Sequence, residues 1–468
     1  MRILNHHPLH FGHRGAAEMN MTEGPIVPML LRYTWPILLS QLFQQLYNVA
    51  DSAVIGRAGG ALALAAISSG TLLLTVLVNF FIGLSAGMSV IVSQLYGEGD
   101  HRSLAACIRT CITISLLADG LFTAVGLAGA GAFLTFLKTP ADIFPAARQY
   151  LCICFFGLVP QLVYNVAASI LRALGNTRSP LYYLLISSGL NVALDLLLVV
   201  VFPLGVVGAA AATLASQILS AVLVVGKLTR LEEDIRLRGL GITRRYVAYA
   251  VTKGLPSGLQ AVFMSISSLV IRTYINGFGY AAIAGMSVYA GIEGFLFHPL
   301  FSFGLAITTF VGQNAGAHRY DRVQAGIRAS MGLALGGSLL LSALLFFTAP
   351  YTVRVFSTDE AVLRNGLEAI RYNFPFYFLY AANQIYIGCI RGMGNTAYPA
   401  FTSLCSYCIF RVVWCAVLLP HFHDMRVIYT SYDASWIVMI LLLYLGRRLY
   451  VDRPCKASPP ETGSEAPL

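Results

Sequence analysis

Apolar residues in this chain gather in long uninterrupted runs, and the polar residues cluster in short segments between them. Twelve runs stand out, at 28–55, 62–92, 104–133, 146–172, 181–202, 208–227, 247–276, 284–311, 324–347, 363–390, 399–420 and 427–446. Each is about 20 residues or longer, enough for a helix to cross a hydrocarbon core of roughly 30 Å. They are too long and continuous for barrel strands, and a helix satisfies its own backbone in lipid. The pattern predicts an all-α integral membrane protein with twelve transmembrane helices.

The runs follow one plan twice. "LRALGNTRSP" at 171–180 returns as "IRGMGNTAYP" at 390–399, an offset of 219 positions, from 171 to 390. At that offset Gln94, Gly97, Ile108 and Arg109 meet Gln313, Gly316, Ile327 and Arg328, while Pro36 and Ile55 meet Pro256 and Ile275 one position further on. Shared spacing of this kind marks an internal repeat. Six helices per copy return the chain to the side it started from, so the two lobes are parallel repeats about an axis along the membrane normal. The expected organisation is an N-terminal extension (1–27), an N-lobe (28–228), a linker (229–246), a C-lobe (247–450) and a disordered C-terminal tail (451–468). Two six-helix lobes that rock about a central cavity form the frame of an alternating-access transporter.

Polar residues inside the apolar runs are the candidates for chemistry. In the first run Gln41, Gln45, Asn48 and Ser52 recur at helical spacing, with Gln44 and Asp51 beside them. An acid at mid-membrane costs roughly 2.5–3.5 kcal/mol, so this stripe faces protein or water. Pro36, one turn before the stripe, removes a backbone hydrogen bond and is a candidate hinge. In the fifth run Asn191 and Asp195 share a helical face. Asp51 and Asp195, with Asn48 and Asn191 orienting them, suit a cation site. Oxygen ligands of this type replace the hydration shell of a hard ion such as Na⁺, and a desolvated carboxylate can instead carry H⁺. The second copy has Ile271 and Trp414 at the positions equivalent to Asp51 and Asp195, so ion chemistry is expected in the N-lobe. The C-lobe offers Glu293 and Arg411, either as a contact for cationic cargo or as a static ion pair. Gln45, Tyr47, Asn165, Glu293 and Arg411 are the candidate cavity residues. Tyr150, Tyr164, Tyr289 and Tyr386 are further rings able to hold an organic cation by their faces. Asp119, without a polar stripe around it, ranks below the other acids.

Composition sharpens this picture in three ways. With 11% charged residues and a mean hydropathy of +0.70 the chain is far from a soluble domain. The net charge of +10 reflects orientation: with the N-terminus inside, inner-side Lys and Arg outnumber outer-side ones by about three to one. The termini and linker are therefore expected in the cytoplasm, and no nucleic-acid motif accompanies the charge. The first 20 residues lack the apolar core of a signal peptide and read as an extension, or as sequence ahead of a true start at Met21. The nine cysteines, mostly within apolar runs, lack the His or acidic companions of a zinc site.

Enzyme readings find little support. "GLSAG" at 83–87 fits a Gly-x-Ser-x-Gly nucleophile elbow, but that elbow needs a strand, a sharp turn and a helix. Inside an apolar run the same letters fit close helix packing through Gly83 and Gly87. Neither a P-loop nor His-Glu-x-x-His is present, so an ion gradient is the expected energy source. A membrane-embedded enzyme working through Ser85 is the reading from another class.

"LYNVADSAVIGR", "SQLYGEGD", "VGQNAGAHR", the two "GNT" segments and "LNVALD" together resemble the multidrug and toxic compound extrusion family, over roughly residues 25–450. The chain is most similar to its bacterial branch with two first-lobe aspartates. The resemblance implies two lobes around a V-shaped cavity, and export of cationic or amphipathic organic compounds in exchange for Na⁺ or H⁺ across the plasma membrane. No organic cofactor is implied, and a monomer is expected. The family's coupling residues fall on Asp51, Asn191, Asp195 and Thr213, and its bending proline on Pro36. The acids that other branches carry in spans seven and ten are missing here, apart from Glu368. Lipid-linked oligosaccharide precursor flippases share the superfamily, and they would favour a strongly cationic cavity.

Overall fold

The computed structural model describes residues 19–58, 60–136, 139–140, 142–232 and 234–457, with side chains described except at 47–73 and 456–457. The side chains of Tyr47, Asn48 and Asp51 lie outside the described residues, as do the extension up to residue 18 and the tail beyond 457.

Among the described residues the chain is helical and without strands. The N-lobe helices are α1 (Ile26–Ala58), α2 (Gly60–Glu98), α3 (His101–Phe136), α4 (Phe144–Ala173), α5 (Arg178–Asp195) and α6 (Gly205–Leu228). The C-lobe repeats the order with α7 (Arg244–Asn276), α8 (Tyr280–Gly316), α9 (Tyr320–Phe356), α10, α11 (Ala397–Phe422) and α12 (Met425–Cys455). Eleven of these are long and apolar enough to cross a membrane. The exception is α10, which comes in two pieces, α10a (Glu360–Asn373) and α10b (Tyr377–Gly392), joined by one 3₁₀ turn at Phe374–Phe376. Pro375 in that turn cannot donate the next helical hydrogen bond. Asp359 caps the start of α10a by accepting from the N–H groups of Ala361 at 2.8 Å and Val362 at 3.3 Å.

Large apolar side chains point outward along whole helix faces, the reverse of a water-soluble bundle. On α3, Leu117, Leu121 and Val125 are each more than 60% exposed, one turn apart. On α9, Leu340, Phe347, Tyr351 and Val355 form a similar ridge. Such faces are stable only against lipid.

Local departures from α geometry occur in both lobes, at positions the repeat does not relate. The last turns of the fifth span, Leu196–Val201, are π-helical and begin directly after Asp195. In the C-lobe, Leu404–Phe410 of α11 are π-helical and end directly before Arg411. Single π turns inside α-helices are frequent at functional sites.

The lobes meet where small residues let backbones approach. Gly83 and Gly87 of α2 lie against the backbone at Ser257–Gly258 and Lys253–Gly254 of α7, leaving no space for a Cβ at either position. The Gly-x-Ser-x-Gly stretch is thus mid-helix packing. Ser85 is 2% exposed and donates to the Ile82 carbonyl at 2.8 Å. At the end of the lobes that carries the linker, Gly97 abuts the backbone of Gln313, and Gly316 abuts that of Gln94. Tyr33 of α1 also ties the two lobes. It donates to the Arg172 carbonyl at 2.7 Å and lies 3.0 Å from Thr309 Oγ1.

Candidate ion and substrate sites

Asn191 and Asp195, one turn apart on α5, are fully buried and meet α6. With the Asn191 amide oriented by its neighbours, its NH₂ donates to Asp195 Oδ2 at 2.8 Å and its oxygen accepts from the backbone N–H of Thr213 at 3.2 Å. The Thr213 hydroxyl donates to the Ala209 carbonyl at 3.0 Å. The Asp195 carboxylate and the Asn191 amide are thus linked to each other and to α6 at Thr213, and hard oxygen donors of this kind suit Na⁺. A protonated carboxylate in the same place would serve H⁺. Helix α5 packs along α1, the helix that carries Asp51.

The other N-lobe candidates are more scattered. Gln45 is exposed and Asn165 is half-buried. Tyr164 donates to the Pro180 carbonyl at 3.1 Å. Helix α1 runs unbroken through Pro36, whose carbonyl accepts from Ser40 Oγ at 2.8 Å. Asp119, the lowest-ranked acid, is 0% exposed, and neither of its carboxylate oxygens has a hydrogen-bond partner.

In the C-lobe, Glu293 of α8 accepts from the Tyr377 hydroxyl at 2.5 Å and the Tyr289 hydroxyl at 3.1 Å. Tyr289 accepts in turn from Asn373 Nδ2 at 3.0 Å, so the break in α10 places two supports of the acid, Asn373 and Tyr377, on either side of the 3₁₀ turn. Around them Tyr377 meets Trp436 edge-on at 5.0 Å, and Phe297 stacks on Tyr380 at 5.4 Å. An acid beside ring faces is the chemistry that recognises an organic cation.

At Arg411 the structure bears on an alternative that the spacing left open. This arginine forms no ion pair with Glu293 among the described contacts. Its guanidinium donates to Ser435 Oγ at 2.7 and 3.2 Å and lies over the rings of Tyr432, at 4.3 Å, and Tyr407, at 5.0 Å. A weakly hydrated planar cation is better served by two ring faces than by a distant carboxylate. Tyr386 faces Arg447, whose guanidinium lies 5.6 Å from its ring. Asp433 of α12 escaped the sequence reading altogether. It is 8% exposed with Oδ1 unpartnered, two residues from Ser435, and the polar run "TSYDAS" inside an apolar helix was the available signal.

A doubled helical bundle with lipid-facing outer surfaces and polar clusters at mid-helix defines a multi-pass membrane protein of two repeated lobes. The family model described as MatE matches residues 36–197 and again residues 256–417, and the chain belongs to that family. The two matches begin at the equivalent prolines, Pro36 and Pro256. Among relatives, the protein named "Probable multidrug resistance protein YoeA" of Bacillus subtilis (strain 168) is 26% identical over 423 residues, covering 87% of this chain and 90% of its own length. "Probable multidrug resistance protein YpnP" of the same organism is 27% identical over 417 residues, covering 85% and 89%. Among solved structures, the outward-facing conformation of a multidrug resistance MATE family transporter of the MOP superfamily matches with a TM-score of 0.88. It is 19% identical, and the match covers 95% of this chain and all of that one.

Proposed function

We propose that this protein is a secondary antiporter that exports cationic or amphipathic organic compounds in exchange for Na⁺ or H⁺. The observation that carries the reading is the buried Asn191–Asp195–Thr213 cluster, an acid held by an amide at 2.8 Å where α5 turns π-helical. Asp51 on the neighbouring helix is the second coupling acid, with Asn48 beside it. Binding of the ion at these residues neutralises a carboxylate that is costly to bury, which favours one arrangement of the lobes over the other. Glu293 with Tyr289 and Tyr377 attracts the cargo cation, and Gln45, Tyr47 and Asn165 line its route. Pro36 is the flexing point of α1. The relatives named as multidrug resistance proteins support this direction of transport.

The protein works as a monomer in the plasma membrane, with both termini and the linker in the cytoplasm. Because Arg411 is buried, 6% exposed, and engaged by two rings and Ser435, it is not offered to a diphosphate, so export of cations is favoured over flipping of a lipid-linked precursor. The test is ethidium efflux from proteoliposomes under a Na⁺ gradient and then a pH gradient, comparing wild type with Asp195→Asn and Asp51→Asn. Efflux driven by one gradient and lost in both variants is expected. Equal efflux in wild type and variants would defeat the assignment.

A further inference from the structure

A second polar site lies far from the membrane interior, where the linker folds back on the start of α3. Ile235 (1% exposed) and Leu237 (8%) enter the N-lobe core, while Asp234, Arg236 and Arg238 stay nearer the surface and line a cavity. The linker is pinned on α3 a little further along. Gly241 N–H donates to Thr113 Oγ1 at 3.0 Å, and Thr243 N–H donates to Thr110 Oγ1 at 3.1 Å. The facing surface of α3 carries His101, Arg102, Ala105 and Arg109, neighbours at helical spacing. Between these two walls is a cavity of about 440 Å³.

The lining is strongly one-signed. Four arginines and a histidine surround it, and Asp234 is the one acid among the described lining residues. Ala105 is the single small side chain on the α3 wall and leaves the space that the arginines enclose. Nδ1 of His101 is buried without a hydrogen-bond partner. Orientation signals alone do not require this convergence, since they count charge on a side of the membrane and not its position. The repeat supplies an internal comparison. The equivalent face of α9 carries Tyr320, Asp321, Gln324 and Arg328, so only the N-lobe copy concentrates cations here.

We infer that this cavity binds a phosphate group. Planar guanidinium forks match phosphate oxygens in pairs, and the volume admits a phosphate with part of its substituent, well beyond the roughly 30 Å³ of a water. If the linker is cytoplasmic, as proposed above, the ligand is either the headgroup of an anionic inner-leaflet lipid or a soluble phosphate. A ligand bridging α3 and the linker would brace the only covalent connection between the lobes.

The test measures thermal unfolding and binding on the full chain in neutral detergent, with added phosphatidylglycerol, phosphatidylcholine or inorganic phosphate. Phosphatidylglycerol that raises Tm when phosphatidylcholine does not identifies the lipid source; inorganic phosphate acting as strongly identifies the soluble one. Arg102→Gln and Arg236→Gln should each weaken binding about fivefold, the size expected for one basic residue near an anionic surface. Ala105→Leu, which fills the cavity without touching charge, should abolish binding, while Arg328→Gln at the repeat-equivalent position should leave it unchanged. No stabilisation of wild type by either phosphate source would overturn the inference. So would equal weakening by Arg328→Gln, or full binding by Ala105→Leu. None of these readouts uses transport, so failure here is distinguishable from failure of the antiport reading.

Discussion

Gln94 and Gln313, equivalent residues of the two repeats, make the same bond across the lobe interface from opposite sides. Gln94 Nε2 donates to the Gly392 carbonyl at 2.9 Å, and Gln313 Nε2 donates to the Ala173 carbonyl at 2.8 Å. Both acceptors are last-turn carbonyls, which have no partner within their own helix. With Gly97 and Gly316 pressed against the opposing glutamine backbones, this pair clasps the lobes shut at the linker end. Each bond is worth about 1 kcal/mol net. Gln94→Ala with Gln313→Ala should therefore shift the closed-to-open ratio at this end by roughly thirtyfold. Spin-label distances across the lobes would report the shift, and an unchanged distance distribution would remove the clasp from the mechanism.

The clasp is not fully symmetric, because the segment ahead of α1 adds to one side only. Met21 is 0% exposed. Its N–H donates to Gln313 Oε1 at 2.9 Å, and its carbonyl accepts from Asn314 Nδ2 at 3.1 Å. Replacing Met21 with Ser keeps the backbone bonds and removes only the buried side chain. A loss of about 2–4 kcal/mol from the closed arrangement is expected for a large side chain removed from a packed site. The same spin-label measurement would detect it as a larger open population than in wild type.

At Glu293, charge and shape can be separated. Glu293→Gln keeps an oxygen to accept from Tyr377 and Tyr289 but removes the negative charge. Efflux of cationic dyes should fall about tenfold or more while any neutral cargo is spared, since a desolvated acid facing a cation contributes more than 1 kcal/mol. Equal loss for cationic and neutral compounds would make Glu293 a structural acid.

Arg411 should resist even its closest replacement. Arg411→Lys keeps the charge but loses the planar guanidinium that meets the Tyr407 and Tyr432 rings while making two bonds to Ser435. A destabilisation of about 2 kcal/mol is expected, read as a lower unfolding temperature in detergent. An unchanged Tm would mean that the ring contacts contribute little.

How much of this was legible in the sequence differs by scale. The twelve helices were legible because lipid demands long apolar runs, and the repeat because loop motifs such as "LRALGNTRSP" need specific backbone turns. Gly175 and Gly394 of these motifs both have positive φ, +89° and +91°. Proximity of Asn191 to Asp195 was legible as helical spacing. The partners of Glu293 were not, because Tyr289 lies on its own helix but Asn373 and Tyr377 are brought in by the break in α10. Nor was the environment of Arg411: a buried guanidinium is satisfied equally by acids or by ring faces, and only tertiary packing decides. Asp433 was missed because one acid among serines near a helix end reads as surface.

Outside the membrane, Asp100 gives a pH prediction. It accepts from the Ser103 N–H at 3.0 Å at the start of α3, and hydrogen bonds from the Ser103 side chain and backbone hold its carboxyl below the ordinary value of 3.8. A lowered folded-state value means the contribution to stability is present above the unfolded value and lost as pH falls through the folded one. Asp100→Asn keeps the cap acceptor without the charge. Between pH 5 and pH 3, its stability should therefore fall less steeply than that of wild type. Parallel slopes in thermal melts across this range would remove Asp100 as a contributor.

Thr213 allows the proposed ion site to be tested against its own geometry. Its hydroxyl is donated to the Ala209 carbonyl, and the group that meets Asn191 is its backbone N–H. Thr213→Val therefore preserves the bond that orients Asn191, and removes one neutral oxygen from the ion's surroundings. Asn191→Leu removes the donor to Asp195 Oδ2, and Asp195→Asn removes the charge itself. Gradient-driven efflux should accordingly decline in order: slightly in Thr213→Val, by about tenfold or more in Asn191→Leu, and entirely in Asp195→Asn. If Na⁺ is the coupling ion, Thr213→Val should also raise the Na⁺ concentration needed for half-maximal efflux, because one oxygen ligand of a hard cation is gone. If H⁺ is the coupling ion, the threonine variant should match wild type at every Na⁺ concentration. Efflux abolished in Thr213→Val as fully as in Asp195→Asn would mean that the hydroxyl leaves Ala209 during the cycle, and the arrangement described here would then be a resting form of the site.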